Sequence, residues 1–215
     1  MSARANILAR IRAAHGRGDA PTPQERDAIS TYIRSHPESA RPQHDWNPVE
    51  RFCDRALTLF STWNMVQSRA DVPRAIAEYL NGNLLPHAAV CWPEFRDLDW
   101  QAAGVRVEAR EAHADDLVGI TGVYCAIAET GTLMLLSGVQ TPAATSLLPE
   151  THIAVLSKSR IVPGMEDAWR LLRSECGDLP RAVNFISGPS RTADIEQTLV
   201  LGAHGPYRVH VILAH

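Results

Sequence analysis

Apolar and polar positions alternate along this chain in two different periods. Runs rich in β-branched and aliphatic residues, such as residues 152–156 and 207–213, are typical of buried strands. Between them lie amphipathic segments, such as residues 72–80 and 165–176, whose apolar positions recur at helical spacing. The alternation predicts an α/β fold in which an open sheet is flanked by helices.

The stretch that follows Asn47-Pro48 predicts a long helix. Asparagine is a favoured N-cap residue and proline is favoured at the first helical position. Apolar residues from Phe52 to Val66 then follow mostly at spacings of three and four, which traces one continuous face. We therefore expect one helix across this stretch, packed against the core.

The N-terminal segment differs in texture from the rest of the chain. A short apolar stripe at residues 7–11 and a second helical pattern at residues 25–35 are separated by glycines and prolines. The predicted organisation is an N-terminal arm, residues 1–46, helical or partly mobile, and an α/β domain, residues 47–215.

Composition narrows the classes of function. The 215 residues are 45% hydrophobic and 21% charged, with a formal net charge of -3, which is typical of a globular protein without an affinity for nucleic acid. No apolar run has the length of a membrane helix and no secretory signal is visible, so a cytoplasmic location is expected. The four cysteines are far apart, which predicts buried thiols and no metal, iron–sulfur cluster or other cofactor on this chain.

A polar stretch, Glu129-Thr130-Gly131-Thr132, separates two apolar runs at residues 120–128 and 133–136, both of which are predicted strands. A carboxylate between buried strands has two interpretations. One is a polar turn in which Gly131 supplies a positive φ and the threonines bond the backbone. The other is a ligand or catalytic site on a loop.

A second polar concentration spans residues 187–196, at the predicted junction between a strand and a helix. Backbone N–H groups at a helix start, hydroxyls and an arginine suit a carboxylate or phosphate, whereas the plainer interpretation is a capped helix. The candidate binding residues here are Gly188, Ser190, Arg191, Thr192 and Asp194.

Two further sets of residues are candidates for catalysis or for ligand binding. His204 and Gly205 lie in a turn before the last strand, where the histidine is either a general acid or base or a turn residue bonded to backbone. Lys158 and Arg160 follow a predicted strand and either serve an anionic ligand or form a solvated loop.

The order and spacing of residues 128–132, 187–196 and 201–206 resemble the LUD-domain family, in its lactate utilization branch. The resemblance covers about residues 47–214 and implies a fold similar to the NagB/RpiA/CoA-transferase-like group. It also implies a role in oxidising L-lactate to pyruvate together with iron–sulfur partner subunits, which would carry the redox clusters that this chain lacks.

The resemblance extends to site residues through the matched motifs alone. It makes Glu129 and His204 candidate catalytic residues, with Glu129 as base or anchor and Arg191 as the clamp for a substrate carboxylate. The remaining candidate substrate-binding residues are Thr130, Gly131, Thr132, Gly188, Ser190, Thr192, Asp194 and Gly205. Small carboxylates are the expected substrates, and no nucleic acid or membrane is expected as a partner.

Two other classes of function stay open. One is a self-sufficient CoA-transferase-like or sugar-phosphate-isomerase-like enzyme in which Glu129 is the nucleophile or base. The other is a non-catalytic subunit that binds a ligand or assists assembly.

Overall fold

An open, mostly parallel α/β sheet flanked by helices is present in the computed structural model, which describes residues 2–18, 20–41, 43–192 and 200–215. The predicted fold class is therefore confirmed. The chain divides into two units, Met1–His44, which we call the arm, and Asp45–His215. No helix of the described residues is both long and apolar enough to cross a membrane.

Six α-helices and twelve strands are present among the described residues, the first two helices in the arm and all other elements in the second unit. The helices are α1 (Ala3–Ala14), α2 (Pro23–Ser35), α3 (Pro48–Thr58), α4 (Val72–Gly82), α5 (Ala144–Leu147) and α6 (Met165–Glu175). The strands are β1 (Thr62–Met65), β2 (Ala88–Cys91), β3 (Arg106–Ala109), β4 (Val118–Gly122), β5 (Cys125–Ile127), β6 (Thr132–Leu136), β7 (Thr151–Ser157), β8 (Ile161–Val162), β9 (Val183–Ile186), β10 (Arg191–Thr192), β11 (Val200–Leu201) and β12 (Arg208–Ala214).

The main sheet has the order β1-β12-β7-β4-β2-β3, and every neighbouring pair in it is parallel. A second sheet has the order β8-β5-β6-β9 and is mostly antiparallel. One face of the second sheet, including Ala126 and Leu133, joins the main core, and the other, including Met134, packs with Leu172 of α6. Because the central strands β5 and β6 are buried on both faces, they have continuous apolar runs rather than an alternating pattern.

The long helix predicted from Phe52 to Val66 is wrong. Helix α3 ends at Thr58, and Phe60 adopts φ 66°, in the left-handed region. The N–H groups of Phe60 and Ser61 donate to the carbonyls of Leu57 and Ala56, which is the Schellman arrangement that ends a helix. The residues that would have continued the helix form β1 at the edge of the main sheet.

The apolar run at residues 120–128 is likewise not one strand. It is divided at Gly122 between β4 of the main sheet and β5 of the second sheet. The two short helices predicted in the arm are present as α1 and α2, and the helix start at Asn47 is confirmed by its side chain, which accepts from the N–H of Val49 at 2.9 Å.

Candidate functional site

The turn at Glu129-Thr130-Gly131 joins β5 to β6 and lies on helix α3. Gly131 has φ 70°, and a Cβ there would lie 2.8 Å from the backbone carbonyl carbon of Arg55. Glycine is therefore required both by its conformation and by the close approach of the helix. Glu129 is exposed; its N–H donates to the Pro163 carbonyl at 3.0 Å, and its carboxylate bonds no residue that the structure describes.

A chain of hydroxyls brings the first two predicted motifs together. Thr130 Oγ1 donates to Thr132 Oγ1 at 2.8 Å, and the latter is 2.7 Å from Ser187 Oγ. Three linked hydroxyls hold at least one proton that is not used within the chain, so they offer a ligand a donor. Gly188 follows directly and packs on Leu59 at the end of α3.

The helix predicted to begin at Thr192 is wrong at that residue. Arg191 and Thr192 form β10, which pairs antiparallel with β11. Arg191 is exposed, and its guanidinium lies 5.2 Å from the ring centroid of Phe60. Asp194 lies outside the described residues, as does the rest of residues 193–199.

The second and third motifs contact each other. The N–H of Ser190 donates to the Pro206 carbonyl at 2.9 Å, and the N–H of Gly202 donates to the Ser190 carbonyl at 2.8 Å. Gly205 packs beside the Ser190 side chain. His204 is exposed and lines an open hollow of about 550 Å³ with Glu150, which precedes β7.

The His204 and Glu129 loops do not lie at the carboxyl ends of the main sheet, and residues 187–196 follow β9 of the second sheet. The hollow at His204 is at the amino-terminal ends of β7 and β12, and the Glu129 turn belongs to the second sheet. No hydrogen bond among the described residues joins Glu129 to His204. The structure thus links the three motifs one after the other, through Ser187 and Ser190, without a hydrogen bond between the two candidate catalytic residues among the described residues.

A cavity of about 390 Å³ does lie at the carboxyl ends of the main sheet. Trp92, Gly122, Ser157 and Ala214, which line it, stand at or directly after the last residues of β2, β4, β7 and β12. We call this cavity the switch-point cleft. After β2 the chain forms β3, at one edge of the main sheet. After β4 the next strand that it adds to the main sheet is β7, on the opposite side of β4 from β2. Ligands of open α/β sheets bind where the strand order reverses in this way.

Arg69 and Glu94 give the switch-point cleft its charged wall. Arg69 Nη2 donates to the Glu94 carbonyl at 2.6 Å, while its Nη1 lies 3.4 Å from the carboxylate Oε2. Both side chains are roughly half exposed, so this ion pair is weak and open to exchange with a ligand. A Cβ at Gly122 would collide with the Glu94 carboxylate, so the glycine makes room for the acid at the end of β4.

Basic and aromatic groups complete the surroundings of the switch-point cleft. Lys158 Nζ lies 2.6 Å from Nε2 of the lining residue His215. Arg160, in contrast, is held by two bonds to Glu175 at 2.7 and 2.8 Å and by one to the Tyr124 carbonyl. Glu175 accepts hydrogen bonds from Arg160 and also from the Tyr124 hydroxyl. These bonds, the Arg160 ones most of all, lower the pKa of the Glu175 carboxyl to about 2. Arg160 is therefore a structural link to α6, whereas Lys158 remains near the cleft.

The cysteine thiols and the other side chains that commonly bind metal ions do not form a metal-binding group among the described residues. Cys53, Cys91 and Cys125 are buried, as predicted, and Cys176 is half-buried. Burial raises the pKa of the Cys91 and Cys125 thiols to about 11, which disfavours the reactive thiolate. Among the described residues, no three His, Cys, Asp or Glu side chains are grouped to hold a metal ion.

The sequence interpretation did not identify Arg69, Glu94 and Gly122. The available signals were a glycine inside an apolar run and a carboxylate that directly follows a strand. Neither is specific, because the close approach of Glu94 to Gly122 depends on the pairing of β2 with β4, which are separated by β3 in sequence.

Comparisons with known proteins agree with the observed architecture. Residues 73–214 match the family model described as the LUD domain. A crystal structure of a DUF162 family protein from Deinococcus radiodurans superposes with a TM-score of 0.61 at 27% identity, covering 81% of this chain and 100% of that one.

Two curated relatives are named lactate utilization protein C. The relative from Halalkalibacterium halodurans is 43% identical over 113 residues, which cover 51% of this chain and 48% of that protein. The relative from Anoxybacillus flavithermus is 32% identical over 174 residues, which cover 77% of this chain and 78% of that protein. The chain spans about half the length of the relatives it matches in Halalkalibacterium and Bacillus.

Proposed function

Since the chain belongs to the LUD domain family, we propose that it takes part in lactate utilization as a component of a system that oxidises L-lactate to pyruvate. The names of its relatives support the metabolic role. The switch-point cleft supports a place for a small carboxylate on this chain.

The observation that carries this proposal is the pairing of Arg69 with Glu94 where the strand order reverses. A guanidinium presents N–H groups in the geometry that a carboxylate accepts, and Arg69 retains a weak, half-exposed partner. The substrate carboxylate replaces the Glu94 carboxylate beside Arg69. Glu94 then faces the substrate hydroxyl.

Oxidation of L-lactate to pyruvate releases two protons and two electrons. In this scheme Glu94 accepts the hydroxyl proton as a general base and Arg69 fixes the carboxylate, while the hydrogen on C2 would leave with the electron pair to an acceptor on a partner subunit. The buried rings of Trp92 and Phe95 lie in the wall of the cleft and exclude water from one side of the substrate.

Redox groups for the two electrons are proposed to lie on iron–sulfur partner subunits. Iron–sulfur clusters accept single electrons and are held by cysteine thiolates. Among the described residues no three metal-ligand side chains are grouped, so the proposed contribution of this chain is to bind and orient the substrate within the complex.

A second group of residues on this chain is an alternative binding site for the substrate. There Glu129 is the base, Arg191 is the carboxylate clamp and His204 is an acid or base, with the hydroxyl chain at Thr132 as a donor. The lack of any described partner for the Glu129 carboxylate favours this alternative, whereas the exposure of all three side chains speaks against it.

Gene deletion tests the metabolic role. Loss of the gene should impair growth on L-lactate and leave growth on glucose unchanged, and wild-type or Arg173→Gln copies should restore growth, since Arg173 is an exposed arginine of α6. An Arg69→Gln copy should not restore growth. Normal growth of the deletion strain on L-lactate, without a paralogue, would refute the role; full rescue by Arg69→Gln would refute the cleft as the site.

A further inference from the structure

The helices of the arm have apolar faces that the described structure leaves uncovered. Neither α1 nor α2 contains a buried residue. Their large apolar side chains are 37% to 67% exposed; these are Ile7, Leu8, Ile11, Ile29, Tyr32 and Ile33. Helices of 12 and 13 residues are marginal in water unless an apolar face packs against another surface.

Charge distinguishes the arm from the rest of the molecule. Residues 1–44 contain seven arginines and four acidic residues, a formal charge of +3, which leaves -6 for the remainder of a chain whose total is -3. Helix α1 has three arginines and no acidic residue. A surface that is both apolar and acidic would therefore complement it.

The second unit offers such a surface at the amino-terminal end of the main sheet. Leu117, Glu150 and Tyr207 directly precede β4, β7 and β12, and the strand registers place them side by side. Leu117 and Tyr207, together with Leu147 at the end of helix α5 and Leu148 directly after it, are 41% to 56% exposed. We call these four apolar residues the edge patch.

Two acidic side chains and one basic side chain border the edge patch; the basic one is Arg208, whose guanidinium lies 4.8 Å from the ring centroid of Tyr207. Glu150 lies between Leu117 and Tyr207, and Asp115 lies two residues before Leu117. Both carboxylates are exposed and form no ion pair with a described residue. Contiguous exposed apolar groups with a polar border are characteristic of protein interaction sites.

We propose that the arm of one copy of this chain docks on the edge patch of a second copy, and that the exchange is reciprocal. Opposite formal charges on the two units, and apolar groups exposed on both, favour a second copy as the occupant. Eleven residues separate α2 from the N-cap of α3, which reach at most roughly 36 Å when extended, enough to carry the arm to a neighbouring molecule.

Light scattering on purified full-length protein tests the exchange. The wild type should have twice the 23.6 kDa mass of one chain at about 100 µM. An arm variant, Ile7→Asp with Ile11→Asp, and a patch variant, Leu148→Asp, should each weaken dimerisation at least tenfold. The control Val139→Asp, at a residue that is 96% exposed and outside both surfaces, should remain dimeric.

Mixing the two variants separates arm exchange from other dimers. The intact arm of the patch variant can dock on the intact patch of the arm variant, so the mixture should regain dimers that neither variant forms alone. Dimers made by arm–arm or patch–patch contact would not recover, which would overturn the proposal. A monomeric wild type, or variants that stay fully dimeric, would overturn it as well, whatever the outcome for lactate.

Discussion

At the level of single residues, Gly122 determines where the Glu94 carboxylate can lie. Alanine at this position would displace Glu94, because its Cβ would occupy the place of the carboxylate. We predict that Gly122→Ala lowers kcat/KM for L-lactate at least tenfold in the reconstituted complex, since small displacements of a catalytic group have large effects on rate. Gly177→Ala is the matched control, because a Cβ there meets no atom within 4 Å. Equal kcat/KM values for the two variants would contradict the role of Glu94.

Gly131 has a structural task that is separate from any chemistry at Glu129. Its positive φ and the proximity of Arg55 make alanine costly at this position. We predict that Gly131→Ala reduces the free energy of unfolding by about 1 to 3 kcal/mol, measured by urea denaturation. As the control, the Gly177→Ala variant should have the same free energy of unfolding as the wild type. If Gly131→Ala also left it unchanged, the close packing of the turn against α3 would be contradicted.

At the level of elements, the end of α3 illustrates what the sequence pattern could not reveal. The helix start at Asn47 was predictable because asparagine and proline have specific local roles there. The end was not, because a phenylalanine occupies the left-handed position at which glycine usually marks the stop. Apolar residues of β1 then continued the helical spacing by coincidence.

Two buried histidines make the central strands β7 and β12 sensitive to acid. His152 bonds Thr121 at 2.8 Å, and His210 bonds Thr62 at 2.8 Å and stacks on Tyr79. Burial lowers the pKa of each imidazole to about 4 from an ordinary value near 6.5. Between these pH values the unfolded chain binds protons that the folded chain excludes, so stability falls as the pH is lowered from 6.5 to 4.

We predict that each histidine contributes a loss on the order of 3 kcal/mol across this interval. Urea denaturation at pH 7 and at pH 5 should show that the free energy of unfolding falls less between these pH values for His152→Asn than for the wild type. This difference should hold even if the variant is less stable than the wild type at both pH values. An exposed position without a titratable side chain provides the control, and Val139→Asn should keep the pH dependence of the wild type. An unchanged pH dependence in His152→Asn would contradict a neutral, buried imidazole.

At the level of the whole molecule, the sequence predicted the α/β class and the polar loops but not their arrangement. Alternating periods identify strands and helices locally, which is why most elements after residue 72 were predictable. Sheet membership depends on long-range pairing, so the division at Gly122 and the position of the His204 loop were not. For the same reason, a cleft built from the ends of four distant strands left no motif in the sequence.

The second unit contains all of the buried residues, from Phe52 onward, among those the structure describes. We predict that a chain of residues 45–215 unfolds in one cooperative transition within a few degrees of the full-length protein's Tm, measured by calorimetry at protein concentrations that keep both monomeric. A large loss of stability on removal of residues 1–44 would show that the arm belongs to the core of the same copy.

We expect this chain to bind and activate L-lactate in the switch-point cleft. The most direct measurement is the rate of pyruvate formation by iron–sulfur partner subunits supplied with wild-type, Glu94→Gln or Glu129→Gln protein. We predict that the rate depends on this chain, falls at least about 100-fold with Glu94→Gln and stays near the wild-type value with Glu129→Gln. An unchanged rate without this chain, or a loss confined to Glu129→Gln, would contradict a catalytic role of the switch-point cleft.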